Sequence, residues 1–544
     1  MSAPTSGGDR RITKKTSAIE DTYAVQANPT KTSGSEREVF LDGTTDALRW
    51  GFVKFNLRLP ANYVVTSAEV KLLMTEDNDD GVHVRTIRGV TEDNEWNEAT
   101  LNWNNKPAMG DELDETGATD PLVSYKLDVT EDLKATGSGI YSFGFRTGGG
   151  NVTKFASRDH PDRPAAKLIV QSVYRAYRSD SFWNKGVKAA PLSTNSAGII
   201  NYLMKKQGPD FAKLHGAPRA GSDYDEENDS EYGLPVYFSQ AADQLYTIRR
   251  LDDPNLHSDA CDGLGSRKTF DYPTLQVRIP AGAHPDGYSP NYPDSTNDAQ
   301  LLVIDKSWDD PDRAGIEGLA AALHAACYYN GQWYAGGTDT FELASNGMAK
   351  YWNTHENGGV IPATVYGTAP VTNRGHRGIT SMTDVIRWAE YRAGAIHHAL
   401  QIAIWGTRPV DFFFPMEGTE DGAFGSCSGV PAPCTVPAEG TRIRLKAGTS
   451  LSMCSPGAKI VYEAFKKYGA YITDQTGDSD NPDSAHVGLR VENLVAEGRT
   501  NLWRFGPDAA PGGGDDNVLV PDSLSCAGTV TFNDFEVIQE GYMP

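Results

Sequence analysis

RWGFVKFNL, residues 49–57, has the length of a β-strand and carries its apolar side chains in a strand-like run. Working outward, AEVKLLM (68–74), GIYSFGFR (139–146) and AKLIVQSV (166–173) repeat the signal. Turn-rich segments such as EDNDDG (76–81) and GGGN (148–151) separate them. Short strands at this spacing predict an antiparallel β-sandwich over residues 20–173. Residues 1–19 are small, polar and mildly basic, and are expected to form a flexible or docking arm.

The whole chain of 544 residues is too long for one ordinary core, so residues 174–544 are expected to fold separately. With 39% apolar residues, 55 Gly and 31 Pro, the fold class is mainly β with a few helices. Aromatic residues reach 10%, with 10 Trp and 24 Tyr. Rings in that number suit sugar binding, because pyranose faces stack on exposed rings, although β-sandwiches also bury many aromatics. The net charge of -22 argues against nucleic acid, which demands a basic footprint, and against anionic membranes. No apolar run has the length of a membrane span. The polar start MSAPTSGGDRRITKKTS lacks the apolar core of a signal peptide, which leaves the export route open. The six cysteines, at 261, 327, 427, 434, 454 and 526, nevertheless favour disulfides and an extracellular or cell-surface location. Cys427 and Cys434 can close a short loop, and no pair has the spacing of a zinc site.

Several motifs of the first region recur in one order in a known family. They are DTYAVQ (21–26), RWGFVKFNL, VTSAEVKLLM (65–74), EWNEATLNWNNKP (95–107), LDVT (127–130) and FASRDHPDRPAAKLIV (155–170). In these, residues 20–173 resemble the DNRLRE-type carbohydrate-binding modules. The resemblance implies a jelly-roll-like module of a secreted or cell-surface protein, whose relatives include alginate binders. Trp96 and Trp103 lie in its most specific motif, as sugar platform or as packing.

Residues 174–544 read as a β-rich domain. GLPVYFSQ (233–240), PTLQVRIP (273–280), DAQLLVIDK (298–306) and TRIRLKAG (441–448) have strand character. SPGAKIVYEAFKKYG (455–469) reads as a helix with Pro near its start and Gly at its end. A second helix is expected to start at the NSAG of residues 195–198, with Asn195 or Ser196 as its cap, following a loop that carries Trp183. RAGIEGLAAALHAACYYNGQWYAGG (313–337) is ambiguous, helix-like early and strand-like late. Shared pieces, among them RAGAIHHALQIAI (392–404) and AKIVYEAFKKYGAYITDQTG (458–477), resemble a group of secreted bacterial proteins of unknown function. Relatives usually carry a His and an acid where this chain has Gln300 and Ala395.

Candidate chemistry follows from residue types. His398 stands at the shared His position and suits proton transfer, while His397 points elsewhere; a His among Ala, Leu and Ile is also a common core residue. Thr383 or Asp384 is expected to cap a helix just upstream. Asp298, Asp305 and Asp474 are the carboxylates for hydrolysis of a glycoside, which uses such groups in pairs. For β-elimination, Arg442 and Lys446 supply cations and His398 or Tyr471 a base. Arg442, Arg444 and Lys446 alternate, so they share one strand face. Trp183 joins Trp96 and Trp103 as a candidate sugar contact. No motif calls for a cofactor or a catalytic metal; the oxygen-rich loops 283–298 and 478–484 could hold structural calcium. The expected function is that of a secreted, polysaccharide-binding protein whose larger domain binds or cleaves the glycan; if it is catalytic, hydrolysis ranks ahead of elimination. The alternative is a non-catalytic structural or adhesive subunit that self-assembles through its N-terminal arm.

Overall fold

The computed structural model describes residues 11–60, 62–87, 94–133, 137–207, 213–215, 233–251, 269–270, 275–286, 299–309, 317–343, 383, 385–409, 411–416, 434–475, 487–494, 497, 503, 524, 526 and 530–544. The protein is mainly β and divides into two compact units. One is Arg10–Arg175; the other takes in Ala176–Pro544.

The first unit is a sandwich of two antiparallel sheets. In one the strands run β1 (Arg11–Ser17), β11 (Lys167–Tyr174), β5 (Tyr63–Leu73), β8 (Ser124–Asp128). In the other they run β2 (Glu20–Val25), β4 (Arg49–Leu57), β9 (Gly139–Arg146), β6 (His83–Ile87), β7 (Met109–Glu115). β3 (Glu38–Leu41) pairs with β10 (Thr153–Ala156) beside them. The pleat sorts β4 cleanly: Val53, Phe55 and Leu57 enter the core between the sheets with Val70, Leu72, Phe143, Phe145, Leu168 and Val170. Trp50, Phe52 and Lys54 point to the opposite face. Arg11–Ser17 departs from the expected flexible arm. RITKKTS looks like an arm because most of its side chains stay exposed, yet its backbone pairs along its whole length with Lys167–Val173. It is an edge strand, held by main-chain hydrogen bonds rather than by side-chain burial.

The second unit holds two larger sheets. The first runs Lys213–His215, Gly488–Val491, Leu400–Ile404, Ala470–Gln475, Arg442–Leu445, Phe535–Val537, with Val385–Ile386 also on Gly488–Val491. The second runs Val236–Ser239, Leu301–Asp309, Glu317–His324, Gly337–Glu342, Thr269–Phe270. The ambiguous alanine-rich segment is a central strand: Ala320, Ala321 and Ala322 face Ile304, Val303 and Leu302 and are buried. Pairing on both sides overrides helix propensity there. Its late part forms a hairpin, Cys327–Tyr329 with Gln332–Ala335, turned by Asn330 and Gly331 at φ 48° and 80°. Two successive left-handed residues of the Asn-Gly type match the right-handed twist of such a hairpin.

The helix Pro456–Lys467 begins at Ser455, whose hydroxyl accepts the Ala458 N–H at 3.2 Å, and is followed by Gly469 at φ 69°. It buries Val461, Tyr462, Ala464 and Phe465 on the first sheet's core. Cys454 is disulfide-bonded to Cys526 across 72 residues. Cys327 and Cys434 each take part in a disulfide as well, and no described cysteine is free. Cys427 lies outside the described residues. No helix of the described residues is long and apolar enough to cross a membrane.

Candidate functional site

The outer face of the five-stranded sheet of the sandwich is built by register. Ala24 stands opposite Trp50, Thr22 opposite Phe52, and Glu20 opposite Lys54; Phe52 and Lys54 in turn face Gly144 and Ser142. The segment 94–107 lies over this face. Its Leu101 is buried with Ala24 and Phe52, while Trp96, Trp103, Trp50 and Met109 pack around them partly buried. A side chain on Gly34 would run into the Glu98 carbonyl, so the glycine lets this segment close down.

Trp96 is pinned from three sides. Its indole N–H donates to Ser142 Oγ at 3.0 Å, its ring meets Phe52 edge-on, and its carbonyl accepts the Lys54 ammonium. Lys54 also pairs with Glu20 at 2.6 Å and sits 4.4 Å from the Trp96 ring centre. Trp103 is held differently. It lies 5.0 Å from Trp50, ring centre to ring centre, and the Lys106 ammonium is 4.2 Å from Trp103 and 4.8 Å from Trp50. Partial burial lowers the Lys106 pKa. Two half-buried indoles and an ammonium thus form one polar-aromatic patch. The motif flagged Trp96 and Trp103; Trp50 and Lys54 escaped because only the strand register brings them under it, and Lys106, although in the same motif, was not singled out.

Beneath the same segment, Asp21 is buried. Its Oδ2 accepts the Arg158 N–H at 2.8 Å, and Glu98 takes the Asp21 N–H at 3.1 Å while pairing with Arg158 at 2.5 Å. Burial, more than the neighbouring carboxylates of Glu98 and Asp159, pushes the Asp21 pKa up to about 7.

The candidates of the larger unit mostly serve its interior. His398 is 2% exposed among the core strands; its Nδ1 lies 2.8 Å from the Ala399 carbonyl and its Nε2 3.1 Å from Glu390. Glu390 also takes Arg387 at 2.8 Å, and although burial opposes ionisation, Arg387 and His398 together hold its carboxyl well below the usual range. The helix here begins at Trp388, so Thr383 does not cap it; the Thr383 hydroxyl accepts Gln401 at 2.8 Å instead. Arg442 and Tyr471 do meet, at 2.8 Å, but both are sealed from solvent and the guanidinium also donates to the Tyr468 and Phe182 carbonyls. Lys446 is exposed and donates to the Asn533 carbonyl at 2.6 Å. Trp183 is fully buried, edge-on to Tyr471, and offers no ring face to solvent.

Asp305 is fully buried and receives Arg278 at 3.3 Å and Ser307 at 2.8 Å. Asp474 keeps 27% side-chain exposure and lies 4.0 Å from Arg490, which donates to Gln300 at 2.9 Å. Asp298, most of the loop 283–298 and the loop 478–484 lie outside the described residues.

A group of metal-ligand type that the sequence reading missed, His83, Glu112 and Glu115, lies on β6 and β7. Nothing in a linear reading marks two of 72 acidic residues as neighbours of one His.

The search of curated proteins gives no match. Among solved structures, a GH26-CBM35 β-(1,4)-mannanase from Podospora anserina aligns at 12% identity over 42% of this chain and 42% of that one. The chain thus spans under half of that protein's length, and the TM-score of 0.12 lends it no weight. The sandwich is similar to a defined family: residues 12–172 match the model of carbohydrate-binding module family 96, which supports carbohydrate binding by the N-terminal unit.

Proposed function

We propose that the protein is an extracellular polysaccharide-binding protein that holds its glycan on the outer face of the five-stranded sheet, at Trp50, Trp103 and Lys106. The observation that carries this reading is the half-buried pair of indoles with an ammonium over both, on the unit that matches a carbohydrate-binding module. Indole faces offer CH-rich sugar surfaces a stacking partner, and Lys106 offers hydrogen bonds to hydroxyls or a charge to a uronate. Calorimetric titration of the full chain against neutral and uronate polysaccharides tests it. Trp103→Ala is expected to weaken binding at least about tenfold. Absence of binding across the panel, or unchanged affinity in Trp103→Ala, overturns it.

A second reading, hydrolysis of the held glycan by the larger unit, is favoured by Asp474. Of the candidate carboxylates described, it keeps solvent access while Asp305 is sealed. Elimination ranks lower, because Arg442 and Tyr471 are engaged with each other in the interior. If glycan cleavage releases reducing ends, Asp474→Asn is expected to abolish it. Silence of the wild-type protein on every bound glycan leaves the larger unit a non-catalytic subunit.

A further inference from the structure

The sheet that carries the tryptophans ends in a second cluster. β6 and β7 pair irregularly: His83 faces Glu115, Val84 faces Asp114, but Arg85 faces Glu112. One residue of β7, Leu113, has no opposite number. In a regular strand, side chains three positions apart point to opposite faces. The extra residue turns the strand, so Glu112 and Glu115 both reach the same ring nitrogen. β-bulges re-aim side chains in this way at binding sites.

His83 Nδ1 lies 3.2 Å from Glu112 Oε1 and 3.3 Å from Glu115 Oε2. Ligands at 2.0–2.1 Å from a tetrahedral zinc stand about 3.3–3.4 Å apart, so both separations fit two edges of such a tetrahedron. Nδ1 itself is buried, and neither carboxylate is aligned to take a hydrogen bond from it. The other oxygen of Glu112 receives Arg85 at 2.9 Å and has Arg146 at 3.6 Å, which fixes the carboxylate with Oε1 turned to the histidine. Ligating carboxylates are commonly held from behind like this.

We propose that His83, Glu112 and Glu115 form a site for a divalent transition-metal ion of the zinc type, with a fourth position open to water or to a ligand oxygen. Imidazole nitrogen with two carboxylates suits zinc rather than calcium or magnesium, which take oxygen alone. The site pins the irregular end of β7 to β6, and it lies on the sheet whose outer face carries Trp50. It is independent of the glycan reading and stands or falls on metal binding alone.

Equilibrium dialysis of the full chain against zinc chloride, with cobalt absorption spectra as a second readout, tests the site. Because the chain has 11 His, the readout is the difference between proteins. Wild type is expected to bind one zinc more per chain than Glu115→Gln, or to bind it at least about tenfold more tightly. His83→Gln is expected to behave alike and to lose the cobalt bands. Glu115 is 62% exposed, so its substitution leaves the fold intact should the His83 variant fail to fold. Zinc binding and cobalt spectra of Glu115→Gln identical to wild type overturn the proposal and leave His83 as a side chain paired only with two glutamates.

Discussion

Asp21 in the sandwich and Glu390 in the larger unit are both carboxyl groups shut away from water, and they are pushed in opposite directions. Around Asp21 the main-chain N–H of Arg158 does not make up for lost hydration, and Glu98 and Asp159 add negative charge. Around Glu390 a guanidinium and an imidazole both stand within ion-pair distance. Burial alone therefore does not fix the charge of a buried acid; the count and sign of its partners decide. The two units should respond to acid in opposite senses. Asp21 has a folded pKa above its ordinary value, so its contribution is full below pH ~4 and is lost as pH rises toward about 7. Glu390 has a folded pKa below its ordinary value, so its contribution is present at neutral pH and is lost as pH falls through the acid range.

The strongest way to break this contrast is Glu390→Ala, which strands Arg387 and His398 without their shared anion. It is expected to destabilise the larger unit by about 3–5 kcal/mol, seen as early exchange of amide hydrogens in Leu400–Ile404 and Gly488–Val491. Retained protection there would mean that the network contributes nothing. A smaller effect is expected from Gly34→Ala, where the new methyl meets the Glu98 carbonyl. A loss of about 1–3 kcal/mol in sandwich stability, with weaker glycan binding as segment 94–107 lifts, would show that closure positions Trp103. Undiminished affinity would separate the two. The mildest is Asp21→Asn, which keeps the shape and removes the titration. The sandwich's melting temperature is expected to lose its decline between pH 4 and 7, while the acid sensitivity of the larger unit persists. A decline unchanged in slope would place its origin elsewhere.

The same two units differ in how much a linear reading reveals. In the sandwich, RWGFVKFNL and GIYSFGFR are strands with the bounds their pattern suggests, because each is a strand-length run whose middle, residues 51–55 and 141–145, is buried without interruption. RITKKTS was hidden because an edge strand needs only a neighbour's backbone. In the larger unit the helix at Pro456 was legible from its punctuation, Ser-Pro before and Gly after. The alanine strand was not, since its neighbours Leu301–Asp309 and Gly337–Glu342 are separated from it by chain, not by distance. Of the candidate site, the two tryptophans of one motif were found; Trp50, on a distant strand, was not, and neither was Lys106, since nothing in the motif's linear pattern sets that lysine over two rings. Arg442 and Tyr471 were named within one larger set of candidates, and nothing in their spacing told that they meet in the interior rather than in a cleft.

The bond between Cys454 and Cys526 has a practical corollary for anyone handling the protein. A protease that nicks the backbone once between those two positions produces pieces that still travel together. Electrophoresis would report an intact molecule until a thiol reagent is added, so digestion of this protein has to be judged on reduced samples.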